Sequence, residues 1–123
     1  MQVNFNPYTN RQSFGAKLRL NHKELNHLFS EELSHEKVYG NLRTRIEKFK
    51  AMYPNQIIEG NLISTKTKKT LELYNPSTRY TKAFDMPENP TYRSGIFEQV
   101  FKFLTTDESK RFWTDETAKN LFA

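Results

Sequence analysis

The sequence predicts an α+β domain in which an antiparallel sheet of three to four strands packs against helices, in the order β-α-α-β-β-β-α-α. Three observations predict this class. Residues 56–86 are the one stretch with repeated strand character, apolar residues recur at helical spacing on both sides of it, and three antiparallel strands need an apolar cover to be stable in water. The 123 residues suffice for one domain with a core. We expect this domain over 14–123, after a flexible and largely polar arm over 1–13.

The segment before the sheet predicts one strand and two helices. Residues 14–20 alternate between apolar and polar, as a half-buried strand does. Asn21 and Glu24 have the spacing of a capping box, which would begin a helix. The apolar stripe of this helix changes sides beyond Ser34, which predicts a break there. A second helix over 37–53 has apolar residues three or four positions apart and stops at a proline.

The central block predicts three strands in sequence. Runs 57–64 and 70–74 are joined by a short turn, which predicts a hairpin. Gly60 indicates a bulge or a close backbone approach in the first of these strands. Asn75 followed by proline and serine predicts the next turn, and the third strand then extends to residue 86.

Helices are predicted again after the sheet. Ser94 is expected to cap the most apolar helix of the chain, which should lie against the sheet. Acidic residues directly after Thr106 and Thr114 predict two further short helices, because negative charge is favourable at a helix N-terminus.

Composition excludes several classes of protein. The chain has no cysteine, so disulfides, thiolate nucleophiles and cysteine-based zinc sites are excluded. No run approaches the about 18 apolar residues of a membrane span, and the polar N-terminus lacks the apolar core of a secretory signal. These features predict a cytoplasmic protein without a membrane partner.

The positive charge is concentrated in the middle of the chain. The net charge is +5, and residues 37–82 carry ten basic residues against three acidic ones. A basic patch on the second helix and the 65–69 hairpin tip could bind nucleic acid by releasing phosphate counterions, and tyrosines near basic residues could stack on bases. An ordinary solvated surface explains the same charges. The candidate residues are Arg43, Lys50, Lys66, Lys68, Lys69, Arg79, Tyr80 and Lys82.

One constellation could hold a metal ion. His27, Glu31 and His35 are spaced by four residues and would share one helix face, where two imidazoles and a carboxylate could bind zinc. The same residues fit a solvated helix face, since no fourth ligand is evident. We therefore expect no metal and no other cofactor.

The C-terminal aromatics are the third candidate site. Phe112, Trp113, Leu121 and Phe122 stand in a polar segment, and either they close the core or they form a patch for a protein partner or for self-association. No phosphate-binding glycine loop, nucleophile elbow or assembled acid and base is present, so we expect no enzymatic activity. The sequence favours a small non-catalytic binding or adaptor protein whose partner is another protein, with nucleic-acid binding and metal dependence as the alternatives.

Overall fold

The computed structural model describes residues 16–35, 41–51 and 56–113, and these ranges confirm the predicted α+β class and element order. Three α-helices, four strands and two 3-10 helices are seen in them. In chain order they are β1 (Lys17–Leu20), α1 (Lys23–Ser34), α2 (Leu42–Lys50), β2 (Ile57–Ser64), β3 (Lys69–Asn75), β4 (Tyr80–Met86), a 3-10 helix (Tyr92–Ser94), α3 (Ile96–Leu104) and a second 3-10 helix (Asp107–Phe112). The predicted arm over 1–13 and the helix after Thr114 lie outside the described residues.

The four strands form one sheet in the order β1-β2-β3-β4. Both predicted hairpin pairings are present, because β2 with β3 and β3 with β4 are antiparallel. Strand β1 is parallel to β2, with Leu18 opposite Ile58, so the sheet is mixed. The chain between these strands permits the parallel pairing, since α1 and α2 provide the long crossover that a parallel connection needs.

The helices pack on one face of the sheet and bury its apolar side chains. Leu71 lies in the middle of this face, opposite Leu62 of β2 and Phe84 of β4. Aromatic contacts join the helices above it, with Phe29 of α1 4.9 Å from Phe97 of α3 between ring centroids. The core sits between the sheet and this helical layer.

Helix α1 begins one residue later than the predicted capping box. Its N-cap is His22, whose Nδ1 accepts the N–H of Glu24 at 3.1 Å. The Asn21 amide instead donates to Oδ1 of Asn61 on β2 at 2.8 Å. The capping-box prediction was therefore wrong, because Asn21 is used to join the end of β1 to the neighbouring strand. The predicted break after Ser34 is confirmed, since α1 ends there.

Helix α3 is capped by a residue that is distant in sequence. The predicted cap, Ser94, belongs to the preceding 3-10 helix, and the N-cap is Gly95 with φ 64°, which has no side chain to offer. The carboxylate of Glu32, from the last turn of α1, accepts the N–H groups of Phe97 and Glu98, each at 2.9 Å. The prediction of a Ser94 cap was wrong, because a buried glutamate takes that role.

Gly60 has a close neighbour on β1, but that neighbour is a side chain rather than the predicted backbone, and β2 pairs with β3 without a bulge at this position. A Cβ atom at this position would stand 2.7 Å from Cδ2 of Leu20 on β1. We expect Gly60→Ala to lower the free energy of unfolding by about 1 kcal/mol, because this crowding outweighs the entropy gained by removing a glycine. In a Leu20→Ala background, the same change should cost nothing. Denaturant unfolding of the wild type, the two single variants and the double variant measures the coupling between positions 20 and 60. If Gly60→Ala lowered the free energy of unfolding equally in both backgrounds, the contact would be refuted.

Candidate functional site

The proposed metal ligands are not assembled into a site. His27 Nε2 lies 3.7 Å from a carboxylate oxygen of Glu31, and both side chains are exposed. His35 follows the last residue of α1, where its Nδ1 is 3.0 Å from the Glu31 carbonyl oxygen and its ring stacks on Tyr92 at 3.9 Å. No group of three or more metal-binding side chains occurs in the described part of the chain.

The candidate nucleic-acid residues are divided between the two ends of the sheet. The tip end is the turn 65–68 between β2 and β3, and the turn end is the turn 76–79 between β3 and β4. The seven residues of β3 separate them by about 23 Å. Lys66, Lys68 and Lys69 lie at the tip end, whereas Arg79 and Tyr80 lie at the turn end, so the candidates do not form one continuous patch.

Acidic partners neutralise two lysines at the tip end. Lys68 Nζ is 3.0 Å from Oδ1 of Asp85, and Lys69 Nζ is 3.0 Å from Oε2 of Glu24. Surface ion pairs of this kind add little to stability. They do reduce the net positive charge that the tip end offers to a polyanion. The predicted basic patch therefore has least support at this end.

The turn end keeps its exposed basic side chains. Arg79 is exposed and adopts φ 65°, and Tyr80 is 48% exposed. Lys82 lies over two aromatic rings, with Nζ 5.7 Å from the Phe84 centroid and 5.5 Å from that of Phe103. The candidates on α2, Arg43 and Lys50, are exposed side chains.

Two side-chain hydrogen bonds hold the turn end against the second 3-10 helix. The side chain of Asn75, fully buried, donates to the Phe112 carbonyl oxygen at 2.7 Å, and the Thr78 hydroxyl donates to the same oxygen at 2.9 Å. The Oδ1 atom of Asn75 accepts the N–H of Ser77 at 2.9 Å, which confirms the predicted asparagine turn. The contact places exposed Lys110 and Arg111, just before Phe112, at the same end as Arg79.

Phe112 and Trp113 are the two candidate partner residues at the end of the chain that the structure describes, and both are buried. Phe112 and Trp113 are 3% and 2% exposed. The indole N–H of Trp113 donates to Ser109 Oγ at 3.1 Å, and its ring lies 6.2 Å from that of Phe49. Of the two alternatives for these residues, their burial therefore supports closure of the core over a partner surface. Leu121 and Phe122 lie outside the described residues.

The face of the sheet opposite the helices, here called the outer face, is left uncovered by the described helices. It is formed by alternate residues of every strand, and none of them is buried. Of the three large hydrophobic side chains exposed in the described ranges, two lie on it: Ile57 at 38% and Ile63 at 42% exposure. Its residues are Lys17, Arg19, Ile57, Glu59, Asn61, Ile63, Thr70, Glu72, Tyr74, Thr81, Ala83 and Asp85.

Charge is distributed unevenly across the outer face. Its basic groups, Lys17 and Arg19, are on β1, whereas its acidic groups are on the other three strands. Arg19 is opposite Glu59, which is in turn opposite Tyr74, so the two charges meet at the β1–β2 boundary. The outer face is thus basic along β1 and acidic along the other three strands. Isolated apolar side chains lie near both ends of β2.

Sequence reasoning missed the two buried polar residues that join distant elements. Glu32 follows Leu25 and Leu28 at helical spacing, so its position on the apolar stripe was a signal that it is buried. Asn75 follows Leu71 and Leu73 on the buried face of β3. Neither signal identifies the partner, because each partner lies more than thirty residues away in sequence.

The chain matches no protein-family model, no curated protein and no solved structure. Within the residues that the structure describes, no helix has the length and apolar character to cross a membrane.

Proposed function

We propose that this chain is a small non-catalytic binding protein whose outer face docks onto another protein. The observation that carries the proposal is the exposure of Ile57 and Ile63 on a sheet face that no described helix covers. Isolated exposed apolar residues are common, but two on one strand, with half-buried Tyr74 on the next, give apolar anchors within a polar surface. That composition is typical of non-obligate interfaces. The absence of cysteine is compatible with action in the cytoplasm.

The charges of the outer face define the kind of partner that fits it. A complementary surface places acidic groups over Lys17 and Arg19 and basic groups over Glu59 and Glu72. Apolar side chains of the partner cover Ile57 and Ile63. Charge complementarity of this kind favours encounter and excludes partners of the wrong sign.

Affinity purification with paired variants tests this proposal. Ile57→Thr combined with Ile63→Thr removes both apolar anchors and keeps the β-branched shape that strands favour. We expect a partner retained by the wild type to bind this double variant at least about tenfold more weakly, which corresponds to about 1.4 kcal/mol. The Kd of the purified pair is the deciding measurement.

The control introduces threonine at two exposed positions on the helices. Ala51→Thr and Gln99→Thr are at exposed positions away from the outer face, so partner binding should be unchanged in that variant. A partner that binds the wild type and the Ile57/Ile63 variant with equal Kd would overturn the assignment of the outer face.

A second candidate function, nucleic-acid binding, is supported at the turn end. Arg79, Tyr80 and Lys82 are exposed there, and the Phe112 carbonyl contact adds Lys110 and Arg111. An exposed tyrosine among cations is the arrangement that single-stranded nucleic acid uses for stacking and phosphate contact. Positive φ at a non-glycine residue such as Arg79 is uncommon and is often found at functional sites.

The division of charge between the two ends allows a direct test of this candidate. We expect fluorescent single-stranded RNA or DNA to bind at low salt and to lose affinity about tenfold when Arg79 and Lys82 are changed to Gln. Changing Lys66 and Lys68 to Gln removes the same charge at the tip end and should have a much smaller effect. Equal effects of both pairs would mean that only net charge matters, and no binding at low salt would exclude the candidate.

A further inference from the structure

No strand among the described residues pairs with the outer edge of β4. β4 is the last strand of the sheet, and its first four residues and Asp85 are exposed. Its seven residues pair one to one with β3, from Tyr80 opposite Asn75 to Met86 opposite Lys69. It contains no proline and no bulge, which are common means of blocking an edge strand.

By comparison, the other edge of the sheet, at β1, is protected against pairing with a further strand. β1 has only four residues, two of which are basic, Lys17 and Arg19. Short, positively charged edges resist pairing with another strand. β4 carries one charge of each sign, Lys82 and Asp85, so no net charge opposes the approach of a second strand.

The sequence of β4 is self-complementary in one register. When two copies pair antiparallel about Ala83, all seven residues overlap, with Tyr80 opposite Met86, Thr81 opposite Asp85 and Lys82 opposite Phe84. No like charges are then directly opposite, whereas a register centred on Lys82 would place the two lysines face to face. Registers centred elsewhere on the strand shorten the overlap.

The faces of the sheet also match in this arrangement. The two-fold axis of such a pair is perpendicular to the sheet, so the outer face of one copy continues into the outer face of the other. Tyr80, 48% exposed, lies on the helical side of β4 and would be covered by the partner copy's Met86. This exposed tyrosine is the third large hydrophobic residue that is uncovered in the described ranges, after Ile57 and Ile63.

We infer that the protein forms a symmetric dimer by antiparallel pairing of β4 with β4 of a second copy, centred on Ala83. The pairing joins two four-stranded sheets into one of eight strands. It satisfies the backbone N–H and C=O groups that an edge strand leaves open. The inference is independent of the outer-face proposal, because it uses neither Ile57 nor Ile63.

Single-cysteine variants test the register, since the natural chain has no cysteine. Residues facing each other across an antiparallel pair have Cα atoms about 4.5–5.5 Å apart, within the range that a disulfide spans. Ala83→Cys should therefore form a disulfide-linked dimer under mild oxidation. Exposed Gln99→Cys is the control, and it should cross-link far more slowly.

An off-axis pair of variants checks the same register independently. Thr81→Cys and Asp85→Cys should each form no disulfide cross-link alone, because two copies of residue 81 are about 13 Å apart in this register. Their equimolar mixture should cross-link. Cross-linking of each single variant as fast as the mixture would overturn the register.

Sedimentation without cross-linking tests the dimer itself. The wild type should dimerise reversibly as its concentration rises from the micromolar to the millimolar range. Ala83→Lys and Ala83→Glu should each be monomeric because like charges meet at the axis, and an equimolar mixture should restore the dimer. A wild type that stays monomeric throughout, or a dimer that persists in both single variants, would overturn the inference.

Discussion

Replacing Trp113 by alanine should lower the free energy of unfolding by about 3–5 kcal/mol, the range found when a large buried aromatic side chain is truncated. The indole is 2% exposed and packs against Phe49 and Phe112, at 6.2 and 6.0 Å between ring centroids. Its N–H donates to Ser109 Oγ, so the change also removes a buried hydrogen bond, while the Ser109 hydroxyl keeps the one that it donates to the Thr106 carbonyl oxygen. Chemical denaturation followed by circular dichroism measures the loss.

Tyr80→Ala is the matched control for this prediction. Tyr80 is a large aromatic residue that is 48% exposed, and its truncation should change stability by only about 0.5 kcal/mol. A more conservative change, Trp113→Phe, keeps most of the ring area and should cost about 1 kcal/mol through the lost hydrogen bond. If Trp113→Ala were as stable as Tyr80→Ala, the indole would not belong to the core.

The second large effect is expected at Glu32. Its carboxylate accepts two backbone N–H groups at the start of α3 and is itself fully buried. Glu32→Ala leaves both donors without an acceptor and removes the link between α1 and α3. We expect a loss of about 2–4 kcal/mol, since hydrogen bonds to a charged acceptor are stronger than neutral ones and buried unpaired donors are costly.

The neighbouring residue provides the control for Glu32. Glu31 is on the same helix, and its carboxylate is partly exposed and 3.7 Å from His27. Glu31→Ala removes the same side chain without affecting α3, and it should change stability by about 0.5 kcal/mol or less. A loss at Glu31 as large as at Glu32 would show that the cost comes from helix α1 alone.

The ionisation of Glu32 makes the free energy of unfolding depend on pH, and the direction of this dependence follows from its pKa. Burial raises the pKa of Glu32, the N–H groups of Phe97 and Glu98 oppose this shift, and the charge of Glu98 adds to it. Because the folded state then binds the proton more tightly than the unfolded chain, the wild type gains stability relative to Glu32→Gln as pH falls through the folded-state pKa. The gain levels off below the pKa of the unfolded chain. A gain of the wild type over Glu32→Gln as pH rises would contradict the raised pKa.

Much of the fold could be predicted because its signals are local. The alternation along β2 and β3 and the fixed φ of Pro76 depend on neighbouring residues only. The direction of β1 could not be predicted, because its pairing with β2 involves residues forty positions away. Glu32 was missed for the same reason, since its acceptor role becomes evident only when α1 and α3 are adjacent.

The candidate site was less predictable than the fold. Charge along the sequence suggested one basic patch, but the strands place Lys66 and Arg79 at opposite ends of the sheet and provide Asp85 as a partner for Lys68. The aromatics at 112 and 113 could be core or surface on sequence grounds, and packing against Phe49 places Trp113 in the core. The uncovered face of the sheet became visible only when the helices were seen to share the other side.

The most direct test of whether the outer face is open to solvent is an NMR spectrum of the isoleucine methyl groups. The spectrum is recorded with and without a soluble paramagnetic agent. The chain has five isoleucines. Ile57 and Ile63 are exposed on the outer face, whereas Ile46, Ile58 and Ile96 are buried and serve as internal references. We predict that the agent broadens the methyl signals of Ile57 and Ile63 and leaves the other three sharp. Signals of Ile57 and Ile63 as well protected as that of Ile58 would mean that the outer face is covered, and would contradict its assignment as the docking surface.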